Sequence, residues 1–348
     1  MRIIIVTTQV PFVKGGAETH VEMLKEQLVL RGHEAEIVSI PFKWYPDDSL
    51  IDSMIMFRAM DLNEFGGQYV DLVIAMKFPA FYIKHPNKVV WLMHQHRQAY
   101  DLWGTEYGDM HKFAYPDNLR KVIVESDNRY LREAKRIYTV SANVSNRLQQ
   151  YNGIDSIPVY CPPEDSEKLH CTSYEDFIFY PSRIDVLKRQ DILVDAAKYL
   201  RTNAKIVITG KGLAGDVERL KNRIKKERLE DRIKFLGFVP SDQKIDLYSR
   251  CLGVYFGAYN EDCGYVTTEA FFSEKPIIVH KDSGGPLEFV RDGYNGFVVD
   301  ASPAEVASSI DKLFVDREQA VKMGKQGLKS LKDKKVGWDH VIGSLLKT

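Results

Sequence analysis

Residues 255–285 read YFGAYNEDCGYVTTEAFFSEKPIIVHKDSGG, and the fold is decided here. An apolar run ends at Phe256, and a second, Pro276–Val279, reads as another strand. Between them CGYVTT can open a helix. Glu261 falls in the loop before that helix, and Glu269 lies one turn or slightly more inside it. At about 1.5 Å per helical residue the two carboxylates stand roughly 8–10 Å apart. Amides near Gly264, Tyr265 and Val266, which a helix start leaves without intrahelical acceptors, point into that gap. The adjacent Gly284 and Gly285 follow the second strand. Carboxylates at both sides and anion-binding amides in the middle suit a ligand with hydroxyls at its ends and phosphates between them. A sugar nucleotide has that layout.

The chain has 348 residues, long for one hydrophobic core and comfortable for two. Apolar residues make up 44% and charged residues 28%, as in ordinary globular proteins. Lys plus Arg and Asp plus Glu both number 48, so the basic excess of a dedicated nucleic-acid binder is missing and no nucleic-acid partner is expected. Cys161, Cys171, Cys251 and Cys263 show no C-x-x-C spacing and no histidine at a finger-like distance. Reduced thiols and no metal site are expected. The apolar part of MRIIIVTTQVP is too short for a signal peptide, and no run approaches the length of a membrane span. A cytoplasmic location is expected.

Outward from the opening stretch, strands and helices alternate. Arg2–Thr7 reads as a buried parallel strand. A loop with Gly15-Gly16 follows, then a helix over 17–31 and a strand over 36–40. The glycine pair is no dinucleotide fingerprint, because the third glycine and the downstream acid are missing. Helices are predicted over 49–60, 119–134 and 141–150, and strands over 69–75, 88–93 and 136–140. In the second half strands are predicted at 177–181, 205–209, 233–236, 252–256 and 296–299. Helices are predicted at 190–200, 217–227, 242–249, 303–314, 317–330 and 338–346. The predicted fold is α/β, two Rossmann-like domains facing across a cleft. Residues 1–160 form the first, expected to be the acceptor side. Residues 161–176 form a linker, 177–335 a donor-binding domain, and 336–348 a helix packing back on the first domain.

Several residues can carry chemistry. Arg183 and Lys188, just past the 177–181 strand, would neutralise a diphosphate leaving group or would be solvated loop charges. Gly284-Gly285 would allow close backbone approach or form a plain turn. Glu288 is read as opening the next helix, as a ligand contact or as a favourable N-terminal charge. His94, past the 88–93 strand, could bind a sugar hydroxyl, with His96 and Arg97 as rivals. Arg120, Lys121, Arg129, Arg132, Lys135, Arg136 and Arg147 make one side of the first half basic. They would face an anionic membrane or acceptor, or form a solvated face.

On these motifs the chain resembles the retaining glycosyltransferases of family four, the glycosyl transferases group 1 with the GT-B fold. Residues 260–299 carry that family's E-x7-E motif as Glu261 and Glu269. PSRIDVLKRQD carries its basic pair as Arg183 and Lys188, and GGAETHV resembles its first-domain glycine loop. LGFVPSDQKIDLYSRC, residues 236–251, resembles the segment beside the nucleoside. The resemblance implies that Glu261 contacts donor-sugar hydroxyls and that Glu269 holds the ribose. It implies that Arg183 and Lys188 bind the diphosphate, with His94 near the transferred sugar. Amides of Gly264, Tyr265, Val266, Gly284 and Gly285 would hold phosphate and sugar, and the Gly15-Gly16 turn would bring Gly16 to the phosphate. Cys263, where the family often has a bulky aromatic, and Thr267-Thr268, in place of more apolar residues, depart from the pattern without removing a functional group.

The implied activity is retaining, metal-independent transfer from a UDP- or GDP-type sugar, with no cofactor. The acceptor would be a hydroxyl of a sugar, lipid-linked or other molecule in polysaccharide, glycolipid or glycoconjugate synthesis. A peripheral contact with the inner face of an anionic membrane stays open. An epimerase of the same fold and a non-catalytic nucleotide-sugar-binding protein are the rivals.

Overall fold

The computed structural model describes residues 1–13 and 15–347. The chain divides into two compact units, one of Met1–Glu164 together with the segment from Gly337 onward, the other of Asp165–Val336. In the first unit the sheet strands are β1 (Arg2–Gln9), β2 (Glu34–Pro41), β3 (Leu72–Ala75), β4 (Lys88–Leu92), β5 (Arg136–Thr139) and β6 (Ile157–Pro158). They pair in parallel in the order β2-β1-β3-β4-β5-β6, with Ile3 opposite both Ala35 and Leu72. Ile5, Val6, Ile74, Val89 and Val90 are fully or almost fully buried because helices cover both faces of a parallel sheet. Removing each such side chain from water contributes about 1.5–3 kcal/mol. The order turns back between β1 and β3, so the loops after these two strands diverge at the sheet's C-terminal edge.

The second unit holds β7 (Phe177–Pro181), β8 (Lys205–Thr209), β9 (Ile233–Gly237), β10 (Gly253–Phe256), β11 (Ile277–His280) and β12 (Gly296–Val299). Their parallel order, β9-β8-β7-β10-β11-β12, is that of a dinucleotide-binding fold. The topological switch point lies between β7 and β10. The helix Trp338–Leu345 belongs to the first unit. There Trp338 meets Trp91 edge to face with ring centres 6.4 Å apart, and the Tyr138 hydroxyl donates to the Ser344 carbonyl at 2.8 Å.

The differences from the expected elements have local causes. Gly66 and Gly67 take left-handed conformations (φ 59° and 79°) and close a hairpin of Glu64–Phe65 with Gln68–Tyr69. This hairpin uses up Tyr69, so the strand predicted from there starts at Leu72. Ile157–Pro158 pairs with Tyr138 and Thr139 as a short edge strand, a position that tolerates proline's missing N–H. The helix predicted to reach residue 200 ends at Ala196 and tightens into a 3₁₀ turn over Ala197–Tyr199. Glu288 opens no helix. It closes a 3₁₀ turn, Gly285–Glu288, in which the Leu287 amide bonds the Gly284 carbonyl.

Asp127, on the helix Pro116–Leu131, is wholly buried and accepts hydrogen bonds of 2.6 Å from the hydroxyls of Tyr82 and Tyr100. Burial pushes its carboxyl from 3.8 up to about 7, with the two phenols pulling weakly the other way. The folded protein therefore keeps this proton where the unfolded chain has lost it. Between about pH 4 and 7 the group's contribution to stability falls as pH rises, by at most about 1.4 kcal/mol per pH unit. Asp127→Asn is expected to abolish that slope. Melting temperatures of wild type and variant that run parallel across this range would show that the carboxyl titrates elsewhere.

Candidate functional site

In the second unit the loops after β7, β10 and β11 converge at the switch point. The loop after β7 carries Lys188 in a 3₁₀ turn, Val186–Lys188, capped by the Asp185 carboxylate accepting from the Leu187 amide. The Tyr180 hydroxyl donates to the Lys188 carbonyl and pins the turn to its strand. The loop after β10 is tied to this turn by the Tyr259 amide, 2.8 Å from the Leu187 carbonyl. Lys188 donates from Nζ to Glu261 Oε2, and Nζ also stands 5.3 Å from the centre of the Phe256 ring. Two of the sequence candidates, 73 residues apart, thus meet across the switch point.

Glu261 is held by its backbone as well. Its amide donates to the Ser283 carbonyl and its carbonyl accepts from the Gly285 amide, both at 2.8 Å, an isolated parallel bridge between Glu261 and Gly284. The two loops lie so close that a Cβ on Gly285 would stand 2.6 Å from the Asp262 carbonyl oxygen. Gly264 caps the helix Tyr265–Phe272 in a left-handed conformation (φ 74°, ψ 58°), and a Cβ there would meet Pro286 Cγ at 2.6 Å. Gly264→Ala combines backbone strain with a clash and is expected to cost about 2–4 kcal/mol. An unchanged melting temperature would refute this account. Tyr265 and Val266 supply the first amides of the helix, whose first internal bond runs from the Thr267 amide to the Gly264 carbonyl at 2.8 Å.

Glu269 lies on the same helix with 7% of its surface exposed. Its Oε1 accepts from Lys244 Nζ at 2.9 Å and its Oε2 from the Tyr248 hydroxyl at 2.6 Å. Lys244 and Tyr248, four residues apart on the helix Ser241–Arg250, share a face of it. Burial first, then the adjacent Glu269 carboxylate, push the Tyr248 phenol well above its usual range. Sequence reasoning named the segment 236–251 but neither of these residues. Their i, i+4 spacing was visible; their common target was not.

Arg183 stands apart from this cluster. Its side chain is 61% exposed, and its ion-pair partner is Asp185, 3.5 Å away. The unpredicted cation of the loop is Arg189, which makes two bonds of 2.8 Å to the Asp282 carboxylate.

In the first unit, Gly16 opens the helix Gly16–Leu30, while the Gly15 amide already has an acceptor. It donates to Glu18 Oε2 at 2.9 Å, and Glu18 Oε1 accepts from Lys77 Nζ at 3.2 Å. Lys77 follows β3, so this ion pair closes the first sheet's own switch point. Past β4 the three polar candidates separate. The His96 ring packs on Phe78 at 5.3 Å, and burial followed by the neighbouring His94 charge lowers its pKa to about 4. Arg97 bonds Asp101 at 3.0 and 2.7 Å, and Asp101 also faces Arg147 at 3.4 Å. His94 is half-buried, its Nδ1 2.8 Å from the Gln95 carbonyl oxygen. Of the basic cluster, Arg120 bonds the Ala99 carbonyl and stacks on Trp103, and Arg132 bonds the Asn152 carbonyl.

Among the described residues no group of three or more His, Cys, Asp or Glu side chains is placed to hold a metal ion. Among them, too, no helix is long and apolar enough to cross a membrane.

Comparison with known proteins agrees with this fold. Over 98% of its length the chain is 22% identical to an uncharacterized glycosyltransferase, MJ1607, of Methanocaldococcus jannaschii, covering 96% of that protein. It is 32% identical over 126 residues to the alpha-1,3/1,6-mannosyltransferase ALG2 of Dictyostelium discoideum, a match spanning 35% of this chain and only 30% of that relative. Among solved structures, sucrose-phosphate synthase from Thermosynechococcus elongatus superposes with a TM-score of 0.79 at 16% identity, over 99% of this chain and 98% of that one. Anabaena HepE, solved with UDP and glucose, superposes with a TM-score of 0.72 at 18% identity, over 99% and 100%. The family model described as glycosyl transferases group 1 matches residues 163–330. Residues 163–330 are thus similar to the glycosyl transferases group 1, within a fold of two Rossmann-like domains of the GT-B kind.

Proposed function

We propose that the protein transfers a sugar from a nucleoside-diphosphate sugar to an acceptor hydroxyl with retention of anomeric configuration. The product would belong to polysaccharide, glycolipid or glycoconjugate synthesis. One observation carries this reading: Lys188 meets Glu261 at the switch point of the second sheet, beside the helix start that leads to Glu269. Ligands of open parallel sheets bind at such crevices. The group 1 match over 163–330 and the UDP and glucose bound by HepE support a nucleotide-sugar donor of UDP or GDP type.

In this reading Glu269 holds the ribose hydroxyls and Glu261 the donor-sugar hydroxyls. Lys188, with Arg183 swinging in from solvent, neutralises charge as it builds on the β-phosphate. The amides of Gly264, Tyr265, Val266 and Gly284 supply fixed dipoles for phosphate and sugar, whereas the Gly285 amide, expected to join them, is already held by the Glu261 carbonyl. The acceptor hydroxyl attacks on the face the leaving group vacates, and a phosphate oxygen takes its proton. His94 and Gly16 are the first unit's own candidates for ligand contact, the Gly15 amide being held by Glu18.

The test is a thermal-shift screen with UDP, GDP and their sugars. Saturation at about a hundredfold over Kd adds about 2.7 kcal/mol, so one nucleotide should raise the melting temperature. Transfer to an acceptor should follow with that donor. No shift with any nucleotide would overturn the proposal, and isomerised donor without acceptor would replace it with epimerisation.

A further inference from the structure

Beside the candidate site Arg189 holds a backbone conformation that its side-chain contacts have to offset. It sits at φ 53°, ψ 42°, a left-handed conformation that is strained for a non-glycine residue. Such strain persists only where surrounding interactions over-determine it. Here its guanidinium grips both oxygens of Asp282 at 2.8 Å and lies over the Tyr259 ring, 4.8 Å from its centre. The Arg189 side chain is 12% exposed and that of Asp282 43%, so the pair is shielded from the guanidinium side only.

The three loops of the site are joined through these residues. Arg189 directly follows Lys188, and the turn holding both is bonded to Tyr259 through the Leu187 carbonyl. The Asp282 carbonyl accepts from the Asn260 amide at 2.8 Å, one residue before Glu261. One side-chain fork therefore fixes the loop after β7 against the loops after β10 and β11. We propose that Arg189 and Asp282 are a positioning pair that sets Lys188 and Glu261 in register, without touching the donor themselves. The pair deepens the transferase reading above and rests on it for its effect on rate.

Two measurements test it. Arg189→Gly deletes the fork while allowing the left-handed backbone, and Asp282→Asn removes the charge with little change in shape. In the free protein, amide hydrogen exchange at Tyr259, Asn260 and Glu261 should speed up at least tenfold in each variant and stay unchanged in the first unit. With a donor in hand, kcat should fall by about ten- to a hundredfold while donor KM moves little, because misplacement by an ångström acts on the transition state. The double variant should be no worse than either single one, and Arg189→Lys, which keeps the charge and loses the fork, should fall between. Unchanged exchange at those three amides overturns the proposal whether or not the protein is active. So does faster exchange with kcat within about twofold of wild type, a change far below a positioning effect. A wild-type protein that binds no nucleotide, with exchange responding as stated, sinks the transferase reading and leaves the pair as a loop clamp alone.

Discussion

Lys188→Ala is expected to lower the rate of sugar transfer by about two to three orders of magnitude, the usual cost of removing one preorganised group facing developing charge. Its ammonium has three N–H donors. One faces Glu261 in the free protein, and rotation of the group makes donors available for phosphate oxygens without moving the backbone. The 3₁₀ turn and the Tyr180 bond to its carbonyl hold that backbone, so the truncation leaves the loop in place. The loss should therefore appear in kcat more than in donor KM. Lys188→Arg should recover only part of it, since the planar fork is a poor copy of a compact charge. Arg183→Ala, at an exposed side chain, should cost less. Single-turnover rates of the three variants decide the matter. Transfer by Lys188→Ala within about threefold of wild type would remove the leaving-group role, because preorganised charge is worth far more than that.

Much of the fold could be read from the sequence, and the rest was hidden for physical reasons. Phe177–Pro181, Lys205–Thr209 and Gly296–Val299 were placed to the residue, because short apolar runs bounded by turn residues leave little choice of limits. The edge strand Ile157–Pro158 was not predicted, since its pairing comes from a neighbour rather than from its own pattern. In the candidate site, the placing of Glu261, Gly264 and Glu269 was legible because one loop and one helix carry them. Lys188 was legible as a cation past a strand. The ranking of Arg183 beside Lys188 was not, because spacing cannot say which side chain turns toward Glu261. Arg189, Asp282, Lys244 and Tyr248 acquire their meaning only from partners 21 to 93 residues away.

Glu269→Ala should show two separable losses. The first is structural: the buried Tyr248 hydroxyl and the Lys244 ammonium both lose their acceptor, at about 1–3 kcal/mol for a buried group left unsatisfied. The second is functional. An ionised carboxylate has about four lone-pair sites, and Lys244 and Tyr248 use one on each oxygen. A site remains on each oxygen, which matches the two vicinal hydroxyls of a ribose. Glu269→Gln separates the two effects. Its amide oxygen can still accept from Tyr248, so melting should return most of the way to wild type. Its NH₂ cannot accept from a hydroxyl, so nucleotide affinity should stay low. The wild type should also prefer a ribonucleoside diphosphate over its 2′-deoxy form by about tenfold, the worth of one charge-assisted hydrogen bond, and Glu269→Gln should lose that preference. If the glutamine variant binds both forms as the wild type does, Glu269 is a brace between two helices and the ribose is held elsewhere.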